Sequence, residues 1–122
     1  MSEQPRRLLL VEDHEATRDL LRRTLALRGW EVLEAATVAE GLDQLDPPPD
    51  CIVLDLELPD GAGETILRKV RMEGLPMRVV VITGMPDPAR LSEVGYMRPD
   101  AVLQKPLDSA GLRTICEGIP AG

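Results

Sequence analysis

The sequence predicts an α/β domain built around a doubly wound parallel sheet, and three observations predict it. Short apolar runs rich in β-branched residues recur along the chain: Leu8-Leu9-Leu10-Val11, Cys51-Ile52-Val53-Leu54, Val79-Val80-Val81-Ile82 and Ala101-Val102-Leu103. They are continuous rather than alternating, the mark of strands buried on both faces. Stretches with helical spacing separate them, giving a βα repeat. With no Phe and one Trp among 122 residues, the interior must be aliphatic.

The elements follow in order. After the first run, residues 14–28 place Ala16, Leu20, Leu21 and Leu25 near helical spacing, with Arg18, Asp19, Arg22 and Arg23 largely opposite, and Gly29 ends that helix. Residues 30–35 are a strand of mixed polarity, as expected near a sheet edge. Thr37 and Glu40 form a capping-box pattern for a helix carrying Val38, Leu42 and Leu45, stopped by Pro47-Pro48-Pro49. The third strand precedes a turn at Pro59-Asp60-Gly61, read as turn chemistry only, and then a helix with Ile66, Leu67 and Val70 inward, ending near Gly74. The fourth strand leads to Pro86-Asp87-Pro88. There Asp87 can cap a short helix over residues 88–94 that Gly95 closes. The fifth strand gives way to Lys105-Pro106 and a weak helix holding Leu112 and Ile115, interrupted by Gly111 and Gly118.

Five βα units with right-handed crossovers make a five-stranded sheet whose smallest doubly wound order is 2-1-3-4-5, the flavodoxin-like arrangement. Its ligand crevice lies at the carboxyl ends of strands one and three. Glu12-Asp13 follow strand one and Asp55 ends strand three, so three carboxylates flank that crevice. Thr83 and Lys105 end strands four and five on the same rim.

Crowded carboxylates repel one another unless a cation compensates. A hard divalent ion with oxygen ligands suits them, and Mg²⁺ takes a few carboxylates while retaining water. An ammonium and a hydroxyl beside such a centre are arranged for an anion rich in oxygens, a phosphoryl group above all. Asp55 is then the candidate nucleophile, since carboxylates form aspartyl phosphates. The formal net charge of −7 argues against direct nucleic-acid binding. Cys51 and Cys116 lack ligand-like spacing and read as small buried hydrophobes in a reduced compartment. No run is long enough for a membrane span or a secretory leader, so a cytoplasmic protein is expected.

These residues resemble the receiver domains of two-component response regulators, the CheY-like superfamily, over nearly the whole chain. The match rests on Glu12-Asp13, Asp55, Thr83-Gly84 and Lys105-Pro106. The resemblance implies that Asp55 is the phosphoacceptor, that Asp13 binds Mg²⁺ directly and Glu12 through water, and that the Glu57 backbone carbonyl completes the metal shell. It implies that Lys105 binds phosphoryl oxygens, that Thr83 reports the phosphate, and that the Lys105–Pro106 bond is cis. The implied donor is a sensor histidine kinase or a histidine phosphotransfer protein. The implied activity is Mg²⁺-dependent self-phosphorylation and dephosphorylation at Asp55, and a homodimer would use the helix 4–strand 5–helix 5 face. Residues 1–122 are expected to be one receiver domain with a natural start at Met1, either a single-domain regulator or part of a longer protein.

Each residue has a plainer reading. Asp13 could cap the following helix, Asp55 could be a loop acid, Thr83 a β-former and Lys105-Pro106 a surface turn. Lone His14 reads as an exposed first-turn residue. Jointly, at the right strand ends in the right order, the five positions favour the site. Two rivals remain: a pseudo-receiver that binds a partner without phosphorylation, and a haloacid-dehalogenase-type phosphatase, whose nucleophile follows its first strand. Two departures from the family stand out. Val102 occupies the place where the family usually has Tyr or Phe, with Tyr96 too early to replace it, and the fourth helix is short.

Overall fold

The computed structural model describes residues 6–84 and 87–117. Among these residues lie strands β1 (Arg7–Val11), β2 (Glu31–Ala35), β3 (Cys51–Asp55), β4 (Glu57–Leu58), β5 (Gly61–Ala62), β6 (Arg78–Thr83) and β7 (Ala101–Gln104). The helices are α1 (Glu15–Leu27), α2 (Val38–Asp43), α3 (Glu64–Met72), α4 (Pro88–Tyr96) and α5 (Ser109–Glu117). The main sheet runs β2-β1-β3-β6-β7 with every pair parallel, which is the expected order once the small β4–β5 ribbon is set aside.

Alternate side chains of each central strand enter opposite cores. Leu9, Val11, Ile52 and Leu54 pack with Ile66, Leu67 and Val70 of α3 and Val94 of α4. Leu8, Leu10, Val53 and Ile82 pack with Leu21 and Leu25 of α1 and Ile115 of α5. Both faces are covered, hence the unbroken apolar runs. Cys51 is buried in the second core, and Cys116 packs against it. Trp30, just before β2, is also buried there, with the Arg6 guanidinium 4.4 Å over its ring.

Several expectations need correction. The turn at Pro59-Asp60 closes an antiparallel two-residue ribbon, β4 against β5, too short to show a strand pattern. Asp60 does more than turn: its carboxylate accepts from Val38 N at 2.7 Å and Ala39 N at 3.1 Å, capping α2 from another element. In the capping box Thr37 accepts from Glu40 N at 3.0 Å, but Glu40 reaches back to Ala36 N rather than to Thr37 N. Helix α4 passes Gly95 and ends at Tyr96. Arg71 of α3 supports the two extra residues, donating to the carbonyls of Met97 at 3.1 Å and Arg98 at 2.6 Å just beyond the helix end. Arg98 takes φ 54°, the left-handed bend that stops the chain. Pro86 and Gly118, invoked in the sequence reading, lie outside the described residues, as do residues 1–5.

Candidate functional site

Strand register builds the site. Val11 pairs with both Ala35 and Leu54, Asp55 with Ile82, and Thr83 with Gln104, so the carboxyl ends of β1, β3, β6 and β7 finish on one rim. Glu12 N donates to Ala35 O at 2.9 Å and Lys105 N to Thr83 O at 2.9 Å, extending the ladder one residue at each place. The Lys105–Pro106 bond is cis, as the resemblance implied; Asp46–Pro47 is cis as well.

Lys105 is the centre of the cluster. Its Nζ lies 2.9 and 2.8 Å from the two oxygens of Glu12 and 2.9 Å from Asp55 Oδ2. Asp55 Oδ1 accepts from Glu57 N at 3.0 Å. Gly63 closes the floor beneath: a Cβ there would stand 2.2 Å from the Asp55 carbonyl oxygen. Above lies a cleft of about 370 Å³ between Asp13, Asp55, Glu57 and Lys105, edged by Gly84, with Thr17 and His14 on the α1 side. Thr83 is buried next to Gly84.

Burial makes Glu12 a weak acid. With no exposure, its carboxyl is pushed up to about 7, first by desolvation and then by the neighbouring Asp55, against the pull of Lys105. For Lys105 burial works downward, yet its bonds to Glu12 and Asp55 and their charges carry it above the ordinary lysine value. One ammonium meets the carboxylates of Glu12 and Asp55 while Asp13 lines the same cleft, which leaves it in need of positive charge.

The donors fit a hard cation. One oxygen each of Glu12 and Asp13 and an imidazole nitrogen of His14 lie within 4.8 Å of one another. The two carboxylates suit a hard cation such as Mg²⁺, whereas the third donor is a nitrogen and Asp55 is not part of this group. His14 is exposed, as expected, but its Nδ1 stands 3.7 Å from Glu12 and 3.9 Å from Asp13, closer than sequence suggested. It is also the N-cap of α1, without a side-chain cap bond, so Asp13 stands one residue outside the helix and is not its cap.

The sequence reading missed two supporting arginines. Arg18 donates to the Glu12 carbonyl at 2.9 Å and to Glu34 at 3.2 Å, so it faces β1 and β2 rather than solvent. Arg90 of α4 grips Glu64 of α3. The signal for that pair was topological. Successive βα units place their helix amino ends on the same rim, so an acid in the first turn of one and an arginine in the first turn of the next can meet.

A doubly wound sheet with an acidic crevice, a strand-end Asp and a facing lysine defines a class, and comparison with known proteins gives it a family. Residues 8–117 match the response regulator receiver domain, and the chain belongs to that family. It is similar to the response regulator MprA of Mycobacterium sp. (strain KMS), 36% identical over 80 residues, covering 65% of this chain and 35% of MprA. It is also similar to the KDP operon transcriptional regulatory protein KdpE of Escherichia coli (strain K12), 45% identical over 65 residues, 52% of this chain and 29% of KdpE. The match thus spans about a third of the length of these relatives. Among solved structures, the response regulator receiver domain protein (CheY-like) from Methanospirillum hungatei JF-1 superposes with a TM-score of 0.84 at 28% identity, covering 93% of this chain and 90% of that one.

Proposed function

We propose that this receiver domain accepts a phosphoryl group on Asp55 from a phosphohistidine of a sensor kinase or phosphotransfer protein. The observation that carries the reading is the setting of Asp55 at the crevice, one oxygen held by Glu57 N and the other by Lys105. An Asp55 oxygen attacks phosphorus, the P–N bond breaks, and the imidazole leaves with its electron pair and takes a proton. Lys105 stabilises negative charge on the phosphoryl oxygens. Asp13, Asp55 and the Glu57 carbonyl would hold Mg²⁺, with Glu12 acting through water. Bound there, Mg²⁺ supplies neutralising charge in the crevice. Thr83 is the hydroxyl that senses the product.

The wider setting follows from the same reading. A domain of net charge −7 is not itself the nucleic-acid contact. Among the described residues no helix is long and apolar enough to cross a membrane. A cytoplasmic setting goes with a phosphohistidine donor and a buried core thiol. A homodimer would use the α4, β7 and α5 face, on which Tyr96 and Val102 are exposed.

Incubation with a small acyl phosphate and Mg²⁺ should add one phosphoryl group, seen by intact mass. Asp55→Asn and chelation should each abolish it. Equal labelling of Asp55→Asn overturns the assignment, and no labelling from either an acyl phosphate or a phosphohistidine donor leaves a constitutive binding module instead. Turnover of small phosphoesters would point to the phosphatase.

A further inference from the structure

Arg90, in the first turn of α4, makes three hydrogen bonds into the neighbouring βα unit. Its Nε donates to Glu64 at 2.6 Å, and one terminal nitrogen donates both to Glu64 at 2.8 Å and to the Leu56 carbonyl at 2.7 Å. Glu64 is buried despite its charge, and the guanidinium holds its carboxyl below the usual range against the opposing effect of burial. The Glu64 side chain is 10% and that of Arg90 28% exposed, so the pair is partly shielded from water and removing one partner leaves the other poorly satisfied.

The Leu56 contact gives the pair its reach. Leu56 C=O and Glu57 N–H are the two ends of one planar peptide unit. Arg90 and Gly63 N, at 2.7 and 2.9 Å, fix the carbonyl end. The amide end donates to Asp55 Oδ1 at 3.0 Å. A single rigid group therefore separates the side chain of an α4 residue from the Asp55 carboxylate.

We infer that Arg90 is a positioning residue for Asp55, setting the Leu56–Glu57 peptide that holds Oδ1 and so coupling α4 to chemistry at the carboxylate. The inference rests on Asp55 as phosphoacceptor. Phosphorylation turns the carboxylate into an acyl phosphate, whose carbonyl oxygen is a weaker acceptor than a charged one. The peptide loses part of its hold at the amide end, and Arg90 carries the adjustment to α4. Linkage makes the coupling reciprocal, so a partner that displaces α4 alters the hold on Asp55.

Backbone amide shifts with Mg²⁺ and beryllium fluoride, a phosphoryl mimic, test this. In the wild-type chain the amides of Glu57 and residues 91–96 should move together. Arg90→Ala should still show the Glu57 shift at saturating mimic while losing the shifts of residues 91–96. Arg90→Lys keeps charge and stem but lacks the fork that spans Glu64 and Leu56, and should show the same loss. Without mimic, either variant should displace the Glu57 amide, which Arg90 does not touch, while β6 amides stay in place. Wild-type α4 shifts in both variants overturn the coupling alone. A wild-type chain whose Glu57 amide ignores the mimic overturns the phosphoacceptor reading and the coupling with it.

Discussion

The Nζ of Lys105 and the carboxylate of Glu12 meet at 2.8 Å, although the two residues stand 93 apart in the chain. Glu12 has no exposure and Lys105 is 21% exposed at the cleft, so the contact closes the sheet rim with a pair partly shielded from water. Asp55 shares the same ammonium, its Oδ2 lying 2.9 Å from Nζ.

Removing the ammonium should therefore expose the repulsion it offsets. Lys105→Met is expected to lower stability at neutral pH by about 2–3 kcal/mol. Mild acid, which protonates Glu12, and Mg²⁺, which replaces the missing charge, should each restore part of the loss. Urea midpoints under the three conditions check this; a loss indifferent to both pH and Mg²⁺ contradicts it.

Glu12 gives the apo domain a definite pH slope. Its folded pKa of about 7 exceeds the ordinary 4.5, so between these values the folded state keeps a proton that the unfolded chain has released. The contribution is fully present below 4.5 and is lost as pH rises through 7, by up to about 1.4 kcal/mol per unit. Glu12→Gln should flatten that slope in chelator-treated protein, as measured by denaturation midpoints across the window. An unchanged slope would show that Glu12 titrates normally.

Gly63 should tolerate no side chain. A methyl group would press on the Asp55 carbonyl oxygen at 2.2 Å and on Leu56 Cα at 2.9 Å, both backbone atoms with little freedom to retreat. Gly63→Ala is expected to cost about 2 kcal/mol or more and to weaken Mg²⁺ binding by displacing Asp55. Thermal melting and metal titration would read the two effects separately.

On the proposed role of Thr83, Thr83→Ala should retain beryllium fluoride binding but shrink the amide shifts of Gly84 and Asp87, because in that role the hydroxyl bonds the phosphoryl group alone. Val102 should move little. It is a β-branched residue, stiff at χ1, that stands 42% exposed on β7. Shifts centred on Val102 would refute this view of the switch.

The sheet and its rim were legible because strand ends announce themselves. Val11 followed by Glu12, Leu54 by Asp55 and Ile82 by Thr83 are abrupt changes from apolar to polar that fold topology then gathers together. Contacts between units were not legible. Nothing local in Asp60 says that it caps α2, nor in Arg71 that it supports the end of α4 past Gly95. Arg18 misled for a related reason. Helical spacing set it opposite the apolar face, yet the Glu12 carbonyl and Glu34 draw it inward. Such partnerships depend on distances between elements, which periodicity within one element does not encode.

Trp30, the single tryptophan of the chain, sits beside the amino end of β2, buried under Arg6, whereas Asp55 lies at the carboxyl ends of the strands. The length of a strand separates indole from crevice. Its fluorescence should accordingly follow unfolding of the α1–α5 core and stay silent to metal or phosphoryl binding. The native chain thus carries a label-free gauge of its own stability that ligands at the acidic rim do not disturb.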